Sequence, residues 1–390
     1  MGNALKLFKN EELLSPEYVP SRLPHREAEL NLLKTFFSNF IAGGGGLLLR
    51  ILIAGPVGVG KTALARRFGT MVEEDARSYG SNVKYIHVNC KLHRSLFSVL
   101  KRVIEELRAP LPTRGLSNEE MLHSIISYLA SKRTSLVLGL DEVDGLVREE
   151  SDALYFLSRI SEERPGVARM AIVMTTRTIE TLGLLDEATR SLIQNNVVYL
   201  SEYTTPQLRD IVAYRASEAI QDGVVGDEII DMIAEAAGNR GDARFAIEIL
   251  WRAVKYAENE SLNKVTPEHI RKATASIYPV IKKEILSYLS YHERLLLLAA
   301  TRALNLNEKA YVTSSELNTL YRVVCEEFGV APRAYTRFWE YLQHLEDVGI
   351  VRIKVSSEGT RGRRSYIYIP EVPVSILMRE LRSLLERPKK

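Results

Sequence analysis

Two cysteines in 390 residues, Cys90 and Cys325, are too few and too far apart for a disulfide framework. No CxxC pair or Cys/His cluster accompanies them, which argues against a zinc site as well. Long apolar runs are also missing. The longest, LLLLAATRAL at 295–304, is interrupted by Arg302 and falls well short of the roughly 20 residues a membrane-spanning helix needs. No cationic segment followed by an apolar stretch opens the chain, so a reducing, cytoplasmic location without membrane attachment is expected. An excess of charge of one sign is absent too, since 52 Lys and Arg face 49 Asp and Glu. The near-balance conceals a division. Residues 281–390 hold 18 Lys and Arg against 13 Asp and Glu, whereas the first 280 residues hold 34 against 36. The positive charge therefore belongs to the C-terminal part and hints at a polyanionic partner there.

What is present is an ordinary globular composition, 46% apolar and 26% charged, in a chain long enough for two to three domains. Short apolar runs recur at 47–54, 83–89, 135–140, 170–175 and 196–200, with helical patterns between them such as SLFSVLKRVIEELR (95–108) and NEEMLHSIISYLA (118–130). Strands alternating with helices predict an α/β domain over residues 15–202, a parallel sheet covered on both faces. Residues 203–277 are helical in period throughout and predict a small all-α domain. Residues 280–390 read as helix, helix, helix and two strands around the turn SEGTRGRR, the pattern of a winged helix-turn-helix.

The strongest chemical signal is GPVGVGKT: Gly55, Pro56, Val57, Gly58, Val59, Gly60, Lys61 and Thr62, with Ala63 next in the helix that follows. It fits GxxxxGK[ST] and lies between a predicted strand and a predicted helix, the context that identifies a phosphate-binding loop. Glycines let the backbone N–H groups wrap a phosphate at a helix N-terminus. Lys61 can reach the β- and γ-phosphates of ATP or ADP, and Thr62 can offer a hydroxyl to Mg²⁺. The apolar strand in LVLGLDEVD ends in two acids. Asp141 is the candidate Mg²⁺ partner, directly or through water, and Glu142 the candidate base for an attacking water. Arg244, in GDAR at a helix start, is oddly placed for the helix dipole and suggests an anion to meet, or a salt bridge to Asp242.

In the C-terminal region the second helix of the motif, from about Arg333 to Asp347, would enter a DNA major groove. Its donors are Arg333, Thr336, Arg337 and Gln343, while Phe338, Tyr341, Leu342 and Leu345 recur at core spacing and Trp339 could serve either role. Lys354, Arg361, Arg363 and Arg364 cluster at or near the hairpin turn, where they would meet the minor groove or phosphates. The bland alternative is a solvated loop tip on a winged helix that binds protein.

Taken together, these segments resemble the AAA+ ATPases. Within them they are most similar to the archaeal origin-recognition-complex-like replication initiators, relatives of the eukaryotic origin recognition complex and cell-division-control loading factor. EYVPSRLPHREAEL (17–30), GPVGVGKT, VNCKLHRSLFSVL, LDEVDGL, YTTPQLRDIVAYRA and GDARFAIEILWRA carry the likeness, which spans about residues 15–375. The resemblance implies that Val19, Pro20 and Arg26 flank the adenine, that Tyr203 and Ile211 close over it, and that Arg244 reads the phosphates. It also implies an extra DNA-contacting element around residues 95–130, origin duplex DNA, the MCM replicative helicase and other initiator subunits as partners, and association with the nucleoid. Two departures stand out. The fourth strand ends MTTR where the family usually has asparagine, leaving Thr175 or Thr176 as the sensor, and Thr176 is taken as the catalytic one. LDEATR places Ala188 where the family tends to carry an arginine for a neighbouring subunit, with Arg190 the nearest substitute. Both weigh towards slow hydrolysis, with ATP and ADP acting mainly as a conformational switch. A transcriptional regulator with the same nucleotide switch, or a signalling ATPase whose winged helix contacts protein, are the rival readings.

Overall fold

The computed structural model describes residues 6–43, 49–157, 170–194, 196–277, 286, 288–306, 309–356, 364–370 and 372–386. They fall into two compact units, Val19–Glu202 and a second made of Met1–Tyr18 with Tyr203–Lys390.

In the first unit β1 (Arg50–Ala54), β2 (Val83–Asn89), β3 (Ser135–Asp141), β4 (Met170–Thr176) and β5 (Val197–Tyr199) form one parallel sheet in the order β2-β3-β4-β1-β5. Both faces are covered, so β1 and β4 are buried at every position, while edge strand β2 carries exposed and half-exposed residues. Alternation along β1 feeds two cores. Ile51 and Ile53 join Leu33 and Phe37 of α1 (Glu27–Ile41) and Phe68 and Val72 of α2 (Lys61–Ser78). Leu52 faces the opposite core, with Leu100 of α3 (Leu96–Leu107) and Ile125 of α4 (Asn118–Ser131). Ser95 and Ser117 open α3 and α4 through capping boxes. The short helices α5 (Asp144–Glu149) and α6 (Glu187–Gln194) follow β3 and precede β5. This order brings the C-terminal ends of β1, β3 and β4 side by side, the edge of an open α/β sheet where ligands bind.

In the second unit α7 (Thr205–Ala219), α8 (Asp227–Gly238), α9 (Ala243–Asn259) and α10 (Pro267–Ile277) share a core that also takes in Leu7, Phe8 and Leu14. Glu11 fastens this N-terminal segment by accepting from Trp251 Nε1 at 2.8 Å and Lys255 Nζ at 2.6 Å. The winged helix follows: α11 (Tyr291–Leu306), β6 (Tyr311–Thr313), α12 (Ser314–Glu327), α13 (Tyr335–Asp347), β7 (Arg352–Ser356), β8 (Arg364–Tyr368) and α14 (Val374–Leu385). Its antiparallel sheet runs β6-β8-β7. Strand β6 and helix α14 add to the expected helices and hairpin. The motif's second helix begins at Tyr335 rather than Arg333, because Ala334 is extended at the N-cap. The helical domain and winged helix are joined by Arg271, whose buried guanidinium donates to Ile369 O at 3.0 Å and Lys309 O at 2.9 Å.

Candidate nucleotide site and winged-helix surface

The loop after β1 is shaped by glycines at two points. A Cβ on Gly55 would stand 2.4 Å from the Leu200 carbonyl oxygen, so only glycine lets the loop leave the sheet beside β5. Gly60 holds φ 91 as the N-cap of α2, a conformation that strains any other residue. The first-turn amides of α2 lack helical partners and face an incoming anion by construction. Lys61 is 8% exposed rather than solvated. Its Nζ donates to Gly55 O at 2.6 Å and also to Pro56 O, which keeps the charge inside the loop.

Opposite Lys61's neighbour lies the acid cluster. Asp141, 3% exposed, accepts from Thr62 Oγ1 at 3.0 Å and from Thr175 Oγ1 at 2.6 Å, and His87 Nε2 stands 3.5 Å away. Burial alone would raise this carboxyl. The nearby His87 and the hydroxyl hydrogen bonds of Thr175 and Thr62 outweigh it and hold the acid below its usual range. An ionised carboxylate beside a threonine hydroxyl fits a hard cation, and Mg²⁺ takes few protein ligands when phosphates supply the rest. Among the described residues no group of three or more His, Cys, Asp or Glu could hold a metal by itself.

Glu142 follows in the left-handed region, φ 51, with its N–H donating to Thr175 Oγ1 at 2.9 Å. Its carboxylate receives Arg177 Nη2 at 2.8 Å. Thr175 thus contacts both acids. Thr176, the residue favoured from the sequence, bonds Asp144 Oδ1 at 2.8 Å, which Thr181 also reaches at 2.5 Å. Thr175, His87, Arg177 and Asp144 are the residues that sequence reasoning left out or left open. Alternation along MTTR announces only that the two hydroxyls face opposite sides; the neighbouring strand decides which one meets Asp141.

Arg26 is 4% exposed, and its guanidinium ties the phosphate loop to the end of β5: Nε donates to Val59 O at 3.2 Å and Nη2 to Ser201 O at 2.7 Å. Val19 is half-buried and Pro20 buried in the same unit. Arg190 Nη2 donates to Leu185 O at 2.9 Å. In the second unit Tyr203 and Ile211 are each 6% exposed within the helical core. Asp242 caps α9, accepting from the backbone N–H groups of Arg244 and Phe245, while the Arg244 side chain is exposed.

On the winged helix, Thr336, Arg337 and Gln343 lie exposed along α13, and Arg337 pairs with Glu340 one turn on. Phe338, Leu342 and Leu345 are core, with Trp339 and Tyr341 packed half-buried against them. Arg333 precedes the helix, and its Nε donates to His292 Nε2 at 3.1 Å. Lys354 is exposed and pairs at 3.3 Å with Glu235 of α8. Arg361 and Arg363 lie outside the described residues, and Arg364 opens β8.

A phosphate loop and acid pair on a five-stranded parallel sheet, then a helical lid and a winged helix, define an AAA+ nucleotide-binding architecture. Family descriptions match in the same order: "AAA domain" over residues 49–182, "Cdc6 AAA+ ATPase-type lid domain" over 209–275 and "CDC6, C terminal winged helix domain" over 284–377. ORC1-type DNA replication protein 2 of Saccharolobus solfataricus is 35% identical, covering 94% of this chain and 91% of the relative. The crystal structure of Cdc6p from Pyrobaculum aerophilum superposes with a TM-score of 0.88 at 29% identity, covering 98% of this chain and 99% of that one. The Aeropyrum pernix ORC1 protein in complex with DNA gives a TM-score of 0.63 at 28% identity, over 97% and 96%. The chain belongs to the ORC1/Cdc6 family of DNA replication proteins.

Proposed function

We propose that this protein is an ATP-regulated replication initiator that binds duplex origin DNA through its winged helix and helps recruit or load the replicative MCM helicase, alongside other initiator subunits. The observation that carries the reading is the bonded set Thr62, Asp141, Thr175 and Glu142 beside the phosphate loop, in a chain that also bears a winged helix. A relative of the same family, the Aeropyrum pernix ORC1 protein, is known in complex with DNA.

In this reading the α2 amides and Lys61 bind the phosphates, and Thr62 and Asp141 hold Mg²⁺, which neutralises phosphate charge. Glu142 takes the proton of the attacking water, and hydrolysis to ADP and phosphate is slow. Val19, Pro20, Tyr203, Ile211 and Arg244 are assigned to the nucleotide, and the arginine turn with Arg333, Thr336 and Arg337 to DNA, on the family pattern. ATP and ADP act as a switch only so far as each favours a different state. Calorimetric titration with ATP tests the site: the wild type binds, and Lys61→Ala abolishes binding by removing charge-assisted contacts to the phosphates. Unchanged affinity in the variant would overturn the phosphate assignment. Crosslinking of the protein to chromosomal DNA tests the role, with recovery at replication origins expected and recovery confined to promoters counting against it.

A further inference from the structure

Arg333 differs from Arg337 and Lys354 in what holds it. Arg337 is paired with a glutamate on its own helix and Lys354 with a glutamate of α8, whereas Arg333 Nε is bound at 3.1 Å by a neutral-type acceptor, His292 Nε2. His292 sits in the first turn of α11 and is fixed from two further directions. Its Nδ1 is 2.8 Å from the hydroxyl of the fully buried Tyr321, and its ring lies parallel to Tyr341, 1° between planes and 6.1 Å between centroids. An arginine can only donate, so Nε2 carries the lone pair and the ring hydrogen sits on Nδ1, donating to Tyr321. Burial pushes the Tyr321 phenol upward, which keeps that acceptor neutral. With Nε engaged, and with no other side-chain bond to this guanidinium among the described residues, Arg333 presents Nη1 and Nη2 together at the exposed entrance to α13. Two parallel donors match the O6 and N7 acceptors of guanine in the major groove.

We infer that His292 is a positioning residue that presents Arg333 end-on as a guanine reader. The inference rests on the DNA-binding role proposed above. The groups around His292 include Arg333 ahead of α13, Tyr341 on α13, Tyr321 on α12, and Tyr291 with Glu293 on its own helix, the last committed to Ser290 and His344. Protonation of His292 removes the acceptor and sets a second cation against the guanidinium. Acid therefore works against guanine reading by Arg333.

The test selects binding sites from a randomised duplex library with the full chain, its Arg333→Ala and His292→Phe variants, and the double variant. The wild type should prefer guanine at one position by about tenfold or more, and each variant should lose that preference by a larger factor than it loses non-specific affinity. The double variant should be no worse than either single one. Placing 7-deazaguanine at that position should weaken the wild type and leave Arg333→Ala unaffected. Should His292→Phe melt early, pH decides. The wild-type preference must fade on acidification, while Arg333→Ala stays flat. Loss of the preference in Arg333→Ala with full retention in a folded His292→Phe, or a wild-type preference independent of pH, overturns the role of His292. Duplex binding with no preference that Arg333→Ala alters overturns the guanine assignment alone. A wild type that binds no duplex DNA overturns the proposed function and this inference together.

Discussion

Glu142 holds a backbone conformation that costs a non-glycine residue about 1 kcal/mol or more, and Thr175 secures it by accepting the Glu142 N–H while donating to Asp141. Glu142→Gln keeps the shape and removes the base, so ATP binding should persist while turnover falls by about a hundredfold or more. Single-turnover hydrolysis with labelled ATP measures it, and an unaffected rate would mean that another group orients the water. Thr175→Val should cost more turnover than Thr176→Val, because only Thr175 touches both acids; Thr176 serves Asp144. The adjacent acids and the glycine spacing were legible in the sequence, since both are local patterns. The choice between Thr175 and Thr176 was not, because it depends on which face of β4 meets the end of β3. The bonds of Arg26 were not legible either: the likeness puts it beside the base of the nucleotide, and only the fold shows its donors also serving Val59, Ser201 and Glu29.

Continuous apolar runs marked the three inner strands β1, β3 and β4 because burial on both faces leaves no polar positions to blur them. The three residues of β6 gave no period to read, and the start of α13 slipped by two because Arg333 and Ala334 are as compatible with a helix as with the extended lead-in they adopt. Helix α11 shows how an element's opening is tied to its neighbour. Glu293 accepts from Ser290 N at 2.6 Å and from His344 Nδ1 at 2.6 Å. Burial would raise its carboxyl, but the bonds from Ser290 and His344 and the charge of His344 outweigh it and hold the acid below its ordinary value. A depressed folded value means that the stabilisation is complete above the unfolded value, about 4.3, and is lost as pH falls through the folded one. Amide exchange along α11 should therefore be faster in Glu293→Gln than in wild type at neutral pH. The difference should close on acidification; a difference that persists at low pH would assign the effect to shape rather than charge.

At the scale of the molecule, the winged helix does not hang free of the helical lid within its unit. Arg271, fully buried, spans the two by serving the carbonyls of Ile369 and Lys309, and Glu228 accepts the N–H of Ala310 at 3.1 Å. Burial lowers the Arg271 guanidinium from its usual value while Glu268 opposes the shift. Arg271→Leu strands two carbonyls at about 1–3 kcal/mol each, so the joint should open to limited proteolysis before either domain unfolds. Equal resistance in the variant would mean that the packing of Tyr311 and Tyr368 against the helical core suffices. Beyond the joint, the net charge of the C-terminal part concentrates a sequence-independent attraction for polyanions on this side of the joint. Arg361, Arg363 and Arg364 supply three of its cations within four residues. If they meet phosphates, each releases about one counterion, and replacing all three with alanine should make the slope of log K against log salt shallower by about two to three. Sequence preference should weaken less than affinity, because phosphate contacts position a protein whereas base edges specify its site. Binding titrations over a salt series separate the cases. A triple variant with unaltered slope and affinity would leave the turn as a solvated loop and place the burden of DNA binding on α13 and Arg333.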